Sequence, residues 1–430
     1  MSRNAYINAR LLDPASGLDS LGALLSDGES ISDLGPRLFK DAVPDGINVI
    51  DCQGFCLMPG LVDMRVQLRE PGEEYKGTLE SAGRTASAGG VTSMVCLPNT
   101  NPVIDDISVL EFVARRARKL GLAKVYSYGA ITKGLEGKEL AEIGLLCNSG
   151  ALAFTDGIKS VSNSHIMGQA LSYASNFGQM IIQHAEEPNL ARGGVMNSGE
   201  TATRLGLSGI PRQAEIIMVE RDIRLAEMTR GRLHFAHLST SDSIDIVRKA
   251  KARGLNITCD TAPPYFSLSE IAVGDYRTFA KLSPPLRTDS DRLAVIEGLK
   301  DGTIDTIASD HAPHDEESKR LPFADAAFGG VGLETLLAIT LELFHNGHLE
   351  ILDALKLITS APSDLLGLKA GRLKKGYPAD LALFDPNRGW KVDADSMQSI
   401  SKNSPFDGRP VQGAVLMTIV DGRKVFENMP

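Results

Sequence analysis

The chain has 430 residues, 43% of them hydrophobic, and a formal net charge of −9. That length suits a barrel of ~250 residues or more with an accessory domain, and the apolar fraction suits a globular rather than a disordered protein. The negative balance argues against nonspecific binding to nucleic acid or anionic lipid, and no apolar run approaches the ~20 residues that would span a membrane.

The N-terminal MSRNAYINARLLDP lacks the long apolar core of a secretory signal. Residues 4–53 hold short β-like runs such as AYINARLL, punctuated by Gly and Pro. Cys52 and Cys56 have no second Cys or His pair nearby, so they read as ordinary thiols rather than half of a zinc site. With Cys96, Cys147 and Cys259 the total is odd and scattered, which predicts no disulfide framework and a reducing, cytoplasmic setting.

The middle of the chain alternates short apolar runs with helical patterns. The runs are LVDMRVQL (61–68), VTSMVCLPN (91–99), KVYSYGAI (124–131), ALAFTD (151–156), QMIIQHA (179–185), RLHFAHLS (232–239), LNITCD (255–260) and IDTIASD (304–310). Segments such as QAEIIMVERDIRLAEMTR and SDRLAVIEGLK, between them, carry helical spacing. Eight strands alternating with helices predict an α/β fold, a (β/α)8 barrel over 54–371 whose site lies at the C-terminal strand ends. Residues 372–430 return to β-like runs, ADLALF, AVLMTIV and RKVF. Together with 1–53 they are expected to form a small composite β-sandwich beside the barrel.

Polar residues gather where the runs end. Asp63, Arg65 and Gln67 alternate and so share one face, leaving Met64, Val66 and Leu68 for the helix-facing side. Arg69 follows at the rim; Asn99, Asp156, His184, His237 and Asp310 end other runs. Taken singly, each is more often a hydrogen-bonded loop residue than a functional group. Together, histidines, carboxylates and an arginine at one barrel mouth suggest a hydrolytic metal site.

The segments PGLVDMRVQLREPG, LPNTNP, QHAEEPNL, GLSGIPRQAE, HFAHLST, SDHAPH, FGGVGLET and SKNSPFDGRPVQGAVLMTIVDG occur in this order. They resemble segments of dihydroorotases, cyclic amidohydrolases that interconvert N-carbamoyl-L-aspartate and dihydroorotate in pyrimidine biosynthesis. The resemblance implies two zinc ions. Two first-strand histidines in H-x-H spacing and the eighth-strand aspartate hold one; fifth- and sixth-strand histidines hold the other, often with a bridging carboxylate. Carried over, His184 and His237 match the second-metal ligands, and Asp310 matches the ligand and proton carrier. Arg69, Asn99 and His314 match groups that hold the substrate carboxylate.

This chain departs from the family pattern at the centre. H-x-H is Arg65-Val66-Gln67, and the first His anywhere is His165. A guanidinium has no lone pair for a metal, and an amide oxygen is a weak zinc ligand. The family's F-[ST]-D-D-G is Phe154-Thr155-Asp156-Gly157-Ile158, so one of two adjacent acids is missing at Gly157, with Asp156 the remaining candidate ligand. N-P-P-L-R begins with Ser283, and a T-P-H-H-like segment is Ala262-Pro263-Pro264-Tyr265. These departures predict a noncatalytic family member holding no zinc or one weakly bound zinc. Arg65 is expected to pair with Asp310 or a nearby acid in place of the first metal. The family's known associations make aspartate carbamoyltransferase the expected partner. The alternative is an active dihydroorotase with a single metal at His184, His237 and Asp156.

Overall fold

The computed structural model describes residues 3–40 and 42–429; Met1, Ser2, Asp41 and Pro430, which the expected composite domain also included, lie outside it. Eight short parallel strands form the barrel: Leu61–Val66, Val91–Cys96, Lys124–Ser127, Phe154–Thr155, Met180–His184, Arg232–Ala236, Ile257–Thr261 and Thr306–Ile307. Neighbours pair in chain order through six ladders. Single parallel bridges complete the ring, Gly129 to Phe154 between the third and fourth strands and Val66 to His311 between the first and eighth. The Gln67 amide donates to the His311 carbonyl at 2.9 Å across that last seam.

The segment read as QAEIIMVERDIRLAEMTR is the helix Gln213–Thr229, which buries Ala214, Met218, Ile223 and Ala226 on one stripe. SDRLAVIEGLK lies within the helix Asp289–Lys300, started by the Thr288 side chain accepting from the Asp291 amide. The barrel interior is filled by Val95, Leu97, Tyr128, Met180, Ile182 and Ala236. Met64, expected to face the helices, packs in this interior cluster instead. The first strand slips register between Leu61 and Val62 and again between Asp63 and Val66. Such irregularities break strict alternation of faces, which is what the reading of Met64 assumed.

The two chain ends do meet. Strands from the N-terminal segment, Arg3–Asp13 through Cys56–Pro59, and from the C-terminal segment, Leu381–Lys391, Pro410–Val420 and Arg423–Glu427, form one eight-stranded sheet. Cys56–Pro59 is the seam, parallel to Arg3–Asp13 on one side and antiparallel to Leu381–Lys391 on the other. Because this strand is paired on both edges, hydrogen bonding runs unbroken through the domain rather than dividing it into two separate sheets. The domain has its own core, with Tyr6, Leu11, Leu24, Leu57, Leu381 and Leu416 among its members.

The C-terminal segment also reaches the barrel mouth. Asn403 is buried; its Oδ1 accepts from the His314 amide at 3.1 Å, and its Nδ2 donates to the carbonyls of Ala312 and Gly329 at 3.0 and 3.1 Å. Among the described residues, no helix is long and apolar enough to cross a membrane.

Candidate functional site

A cleft of about 730 Å³ opens at the C-terminal ends of the strands, and Arg65, Gln67, Arg69, Asn99, His184, His237, Ser283, Asp310 and His314 all line it. Three of these strand-end residues have left-handed backbone: Arg69 at φ 66°, His237 at 43° and Asp310 at 52°. Such conformations are uncommon outside glycine and gather at functional sites. At His237 the conformation is supported by Asp260, whose Oδ1 accepts from the His237 amide at 2.6 Å while its Oδ2 lies 2.9 Å from His234 Nε2.

Arg65 is 2% exposed. Its Nε donates to Asp310 Oδ1 at 2.8 Å, and its Nη2 donates to the Gly157 carbonyl at 3.2 Å. The expected Arg65–Asp310 pair is therefore present, and the guanidinium spans from the eighth strand to the position where the fourth-strand acid is missing. Removing either partner would leave the other's charge uncompensated in a buried site, at a cost of about 3–5 kcal/mol. Gln67, the other replaced position, accepts from Asn99 Nδ2 at 3.1 Å. Each substituted residue thus bonds to another cleft residue.

His237 Nδ1 lies 3.1 Å from Asp310 Oδ2, and His237 Nε2 lies 2.8 Å from His184 Nδ1. An ionised Asp310 only accepts, so His237 carries its proton on Nδ1 and its Nε2 accepts from His184. Burial and the neighbouring Arg65 push the His237 pKa down, which keeps that ring neutral. Burial alone would raise the Asp310 carboxyl, but His237 and Arg65 beside it hold it below the ordinary carboxylate value. The outcome is a continuous chain, Arg65–Asp310–His237–His184. Beyond it, Glu186 Oε1 lies 3.8 Å from His184 Nε2.

Asp156 does not join this group. Its Oδ1 accepts from the amides of Ile131 and Thr132, both at 2.9 Å, and its Oδ2 accepts from the Thr132 hydroxyl at 2.5 Å. Both oxygens are committed to the loop after the third strand, so the expected role of Asp156 as a metal ligand is not the one this geometry gives it. Tyr265 stands edge-on to His237 with ring centroids 6.4 Å apart, and its hydroxyl donates to the Pro284 carbonyl at 2.9 Å beside Ser283.

A two-zinc centre does not fit this donor set. The first position is filled by a cation, Arg65, that binds the eighth-strand aspartate Asp310. At the second, the two imidazole nitrogens that would face a metal are 2.8 Å apart and share a proton. Tetrahedral zinc with ~2.05 Å bonds needs its nitrogens about 3.3 Å apart, so a metal there must both spread the rings and displace that proton.

The expected carboxylate-binding group is assembled but internally occupied. Arg69 donates from Nε to the Pro313 carbonyl at 3.0 Å, from Nη1 to Glu73 Oε2 at 3.0 Å, and from Nη2 to His314 Nε2 at 3.1 Å. Glu73, Glu186 and Asn403 are contributors that the sequence reading passed over. Glu186 was within reach, since it follows His184 closely in QHAEEPNL, where the run ends and the chain turns at the barrel mouth. Asn403 carried no such signal, being 89 residues from the loop it holds.

Asp63, below Arg65, is fully buried; its Oδ1 accepts from the amides of Ser309 and Arg65 at 3.1 and 3.2 Å. Burial pushes its pKa up to about 6, above its ordinary value of 3.8. A raised carboxyl contributes stability that is present below the unfolded value and lost as pH rises through the folded one, here between about pH 4 and pH 6. Asp63→Asn keeps the accepting oxygen and removes the charge. It is expected to raise stability by about 1–2 kcal/mol at pH 8 and by little at pH 4. Urea denaturation at the two pH values checks this, and a loss of stability at pH 8 contradicts it.

Comparison with known proteins bears on this geometry. A family model described as Dihydro-orotase-like matches residues 54–243, and one described as Amidohydrolase family matches residues 234–426. The chain is 47% identical over 424 residues to a dihydroorotase of Wolbachia sp. subsp. Brugia malayi (strain TRS), covering 98% of this chain and 95% of that one. It is 47% identical over 428 residues to a dihydroorotase of Anaplasma phagocytophilum (strain HZ), with the same coverage. Among solved structures, an L-hydantoinase (dihydropyrimidinase) from Arthrobacter aurescens superposes with a TM-score of 0.88 at 25% identity, covering 100% of this chain and 97% of that one. A dihydropyrimidinase from Brevibacillus agri NCHU1002 superposes with a TM-score of 0.84 at 22% identity, covering 99% and 95%, which speaks for the fold alone.

Proposed function

The chain belongs to the dihydroorotase family, and from that premise we propose that it is a noncatalytic dihydroorotase-type protein of pyrimidine biosynthesis. The observation that carries this reading is the 2.8 Å Arg65–Asp310 ion pair. It commits the family's proton-carrying aspartate to a guanidinium. The cleft keeps Arg69, Asn99 and His314 along its wall, so its ligands on this reading are N-carbamoyl-L-aspartate or dihydroorotate. Assay of both directions of the reaction with added zinc tests the reading, and turnover at an ordinary rate overturns it.

A second reading is an active dihydroorotase with a reduced site. It draws on the name carried by the relatives at 47% identity and on His184 and His237, which still converge. Amidohydrolases generally use metal ions, and on this reading those two histidines hold a single one. The two readings separate in that same assay, read together with zinc content.

For the noncatalytic reading we propose aspartate carbamoyltransferase as partner. Its support is a complete barrel and β domain retained around an altered centre: a scaffold kept without its chemistry is explained if its surface has a use. A specific interface buries about 1,200–2,000 Å² and survives moderate salt when its centre is apolar. Mixed at ~10 μM with the transferase of the same organism, the protein is expected to co-elute on size exclusion and to raise the transferase's melting temperature or activity. Separate elution with an unchanged transferase removes the partner role.

A further inference from the structure

Four cations line the cleft: Arg65, Arg69, Lys76 and Lys159. Arg65 is committed to Asp310, and the Lys159 ammonium donates to the Leu135 carbonyl at 3.3 Å. The other two converge on one carboxylate. Glu73 Oε2 accepts from Arg69 Nη1 at 3.0 Å, and Glu73 Oε1 accepts from Lys76 Nζ at 2.5 Å.

The three side chains are not equally free. Glu73 is 29% exposed, Lys76 14% and Arg69 only 6%. Arg69 is fixed by the Pro313 carbonyl and His314, and the Lys76 backbone is tied down where its carbonyl accepts from the Ser401 hydroxyl at 2.6 Å. The acid is therefore the least buried of the three, the side chain that can swing toward solvent at the smallest cost. An arginine only donates, so His314 Nε2 accepts from Arg69 and the ring proton sits on Nδ1. That Nδ1 is buried and has no partner among the described residues, which leaves one more donor beside Arg69.

The geometry points to Glu73 as an internal carboxylate that occupies the cleft's carboxylate seat, so that a small dicarboxylate enters only by displacing it. This rests on the reading of Arg69 and His314 as carboxylate-binding groups. Arginine and lysine make a good seat because the fork and the ammonium each take one oxygen of the same carboxylate. A tethered competitor acts at an effective concentration in the mM range or above. A free monocarboxylate only exchanges one carboxylate for another and gains nothing over it. A ligand that also bonds elsewhere in the cleft gains there and can displace Glu73, through a second carboxylate as in N-carbamoyl-L-aspartate and succinate or through ring amides as in dihydroorotate. The internal acid thus works as a selectivity filter against simple monocarboxylates, such as acetate, that offer the cleft nothing beyond one carboxylate.

Titration calorimetry of the full chain at low ionic strength, where exposed charges are least screened, tests this. The probes are N-carbamoyl-L-aspartate, succinate (which cannot cyclise to an amide) and acetate. Glu73→Gln is expected to bind both dicarboxylates at least tenfold more tightly than the unaltered protein, and to gain acetate binding. Glu74→Gln removes the same charge one residue away, from a carboxylate that accepts from the Gly72 amide, and is expected to change affinity less than twofold. In Glu73→Gln with Arg69→Met the gain is expected to vanish, and melting temperatures show whether each variant folds. Glu73→Ala supplies the same comparison if the amide variant fails to fold. Three results each overturn the proposal: no tightening, equal tightening in Glu74→Gln, or a gain that survives loss of Arg69. Dihydroorotate turnover by the unaltered protein overturns the noncatalytic reading and leaves the succinate comparison standing.

Discussion

Supplied with excess zinc, the purified protein is expected to interconvert N-carbamoyl-L-aspartate and dihydroorotate at least a thousandfold more slowly than an ordinary enzyme rate of ~10 s⁻¹. The size of the effect follows from what the altered centre forgoes. Lewis-acid stabilisation of developing charge is worth several kcal/mol, and about 4 kcal/mol is a thousandfold in rate. Proton transfer by a positioned group contributes typically 10²–10⁴-fold more, and here Asp310 is held ionised between Arg65 and His237, with both oxygens engaged. An aspartate so placed must break an ion pair before it takes a proton. The measurement is absorbance-monitored turnover in both directions across pH 6–9, alongside an active dihydroorotase. A rate within tenfold of that control shows that the Arg65–Asp310 pair opens readily under working conditions, and it makes the single-metal enzyme the better account.

Much of this was legible in the sequence for a simple reason. Barrel strands buried on both faces are written as short apolar runs, and the chemistry of a barrel sits at their ends, so run-ending polar residues were the right place to look. The Arg65–Asp310 pair was foreseeable because an aspartate left without its metal needs a cation, and Arg65 takes the place of one of that metal's ligands. Direction was harder to read. Asp156 ends its run as expected, yet its carboxylate turns to Ile131 and Thr132, whose amides offer it a ready nest. Met64 was misplaced because a two-residue period cannot foresee a slip within a six-residue strand. Asn403 lies in the SKNSPFDG segment that carries part of the resemblance, yet nothing local says that its side chain pins loops of the barrel.

Restoring the first-strand ligands alone, Arg65→His with Gln67→His, is expected to leave zinc binding at one ion or fewer and turnover far below that of an ordinary enzyme. Adding Gly157→Asp is expected to bring two zinc ions and a large further gain. Asp156 already holds two amides and a hydroxyl with its oxygens, so it cannot swing to a metal without orphaning them. Position 157 is the one that faces the centre: its carbonyl accepts from Arg65, and a Cβ built there comes within 3.5 Å of Asn99 Cβ, an ordinary contact. The backbone there is left-handed, φ +69°, where aspartate is among the better tolerated side chains at a strain of roughly 1–2 kcal/mol. That strain is small against the binding of two dications that share two carboxylates and four histidines. Ligands that act as one unit are non-additive, so the third substitution should yield more than its share. Elemental analysis after dialysis, run beside the turnover assay, gives the answer. If the double variant already holds two zinc ions and recovers full activity, only the first-strand ligands had been lost, and Gly157 is a loop glycine with no part in the centre.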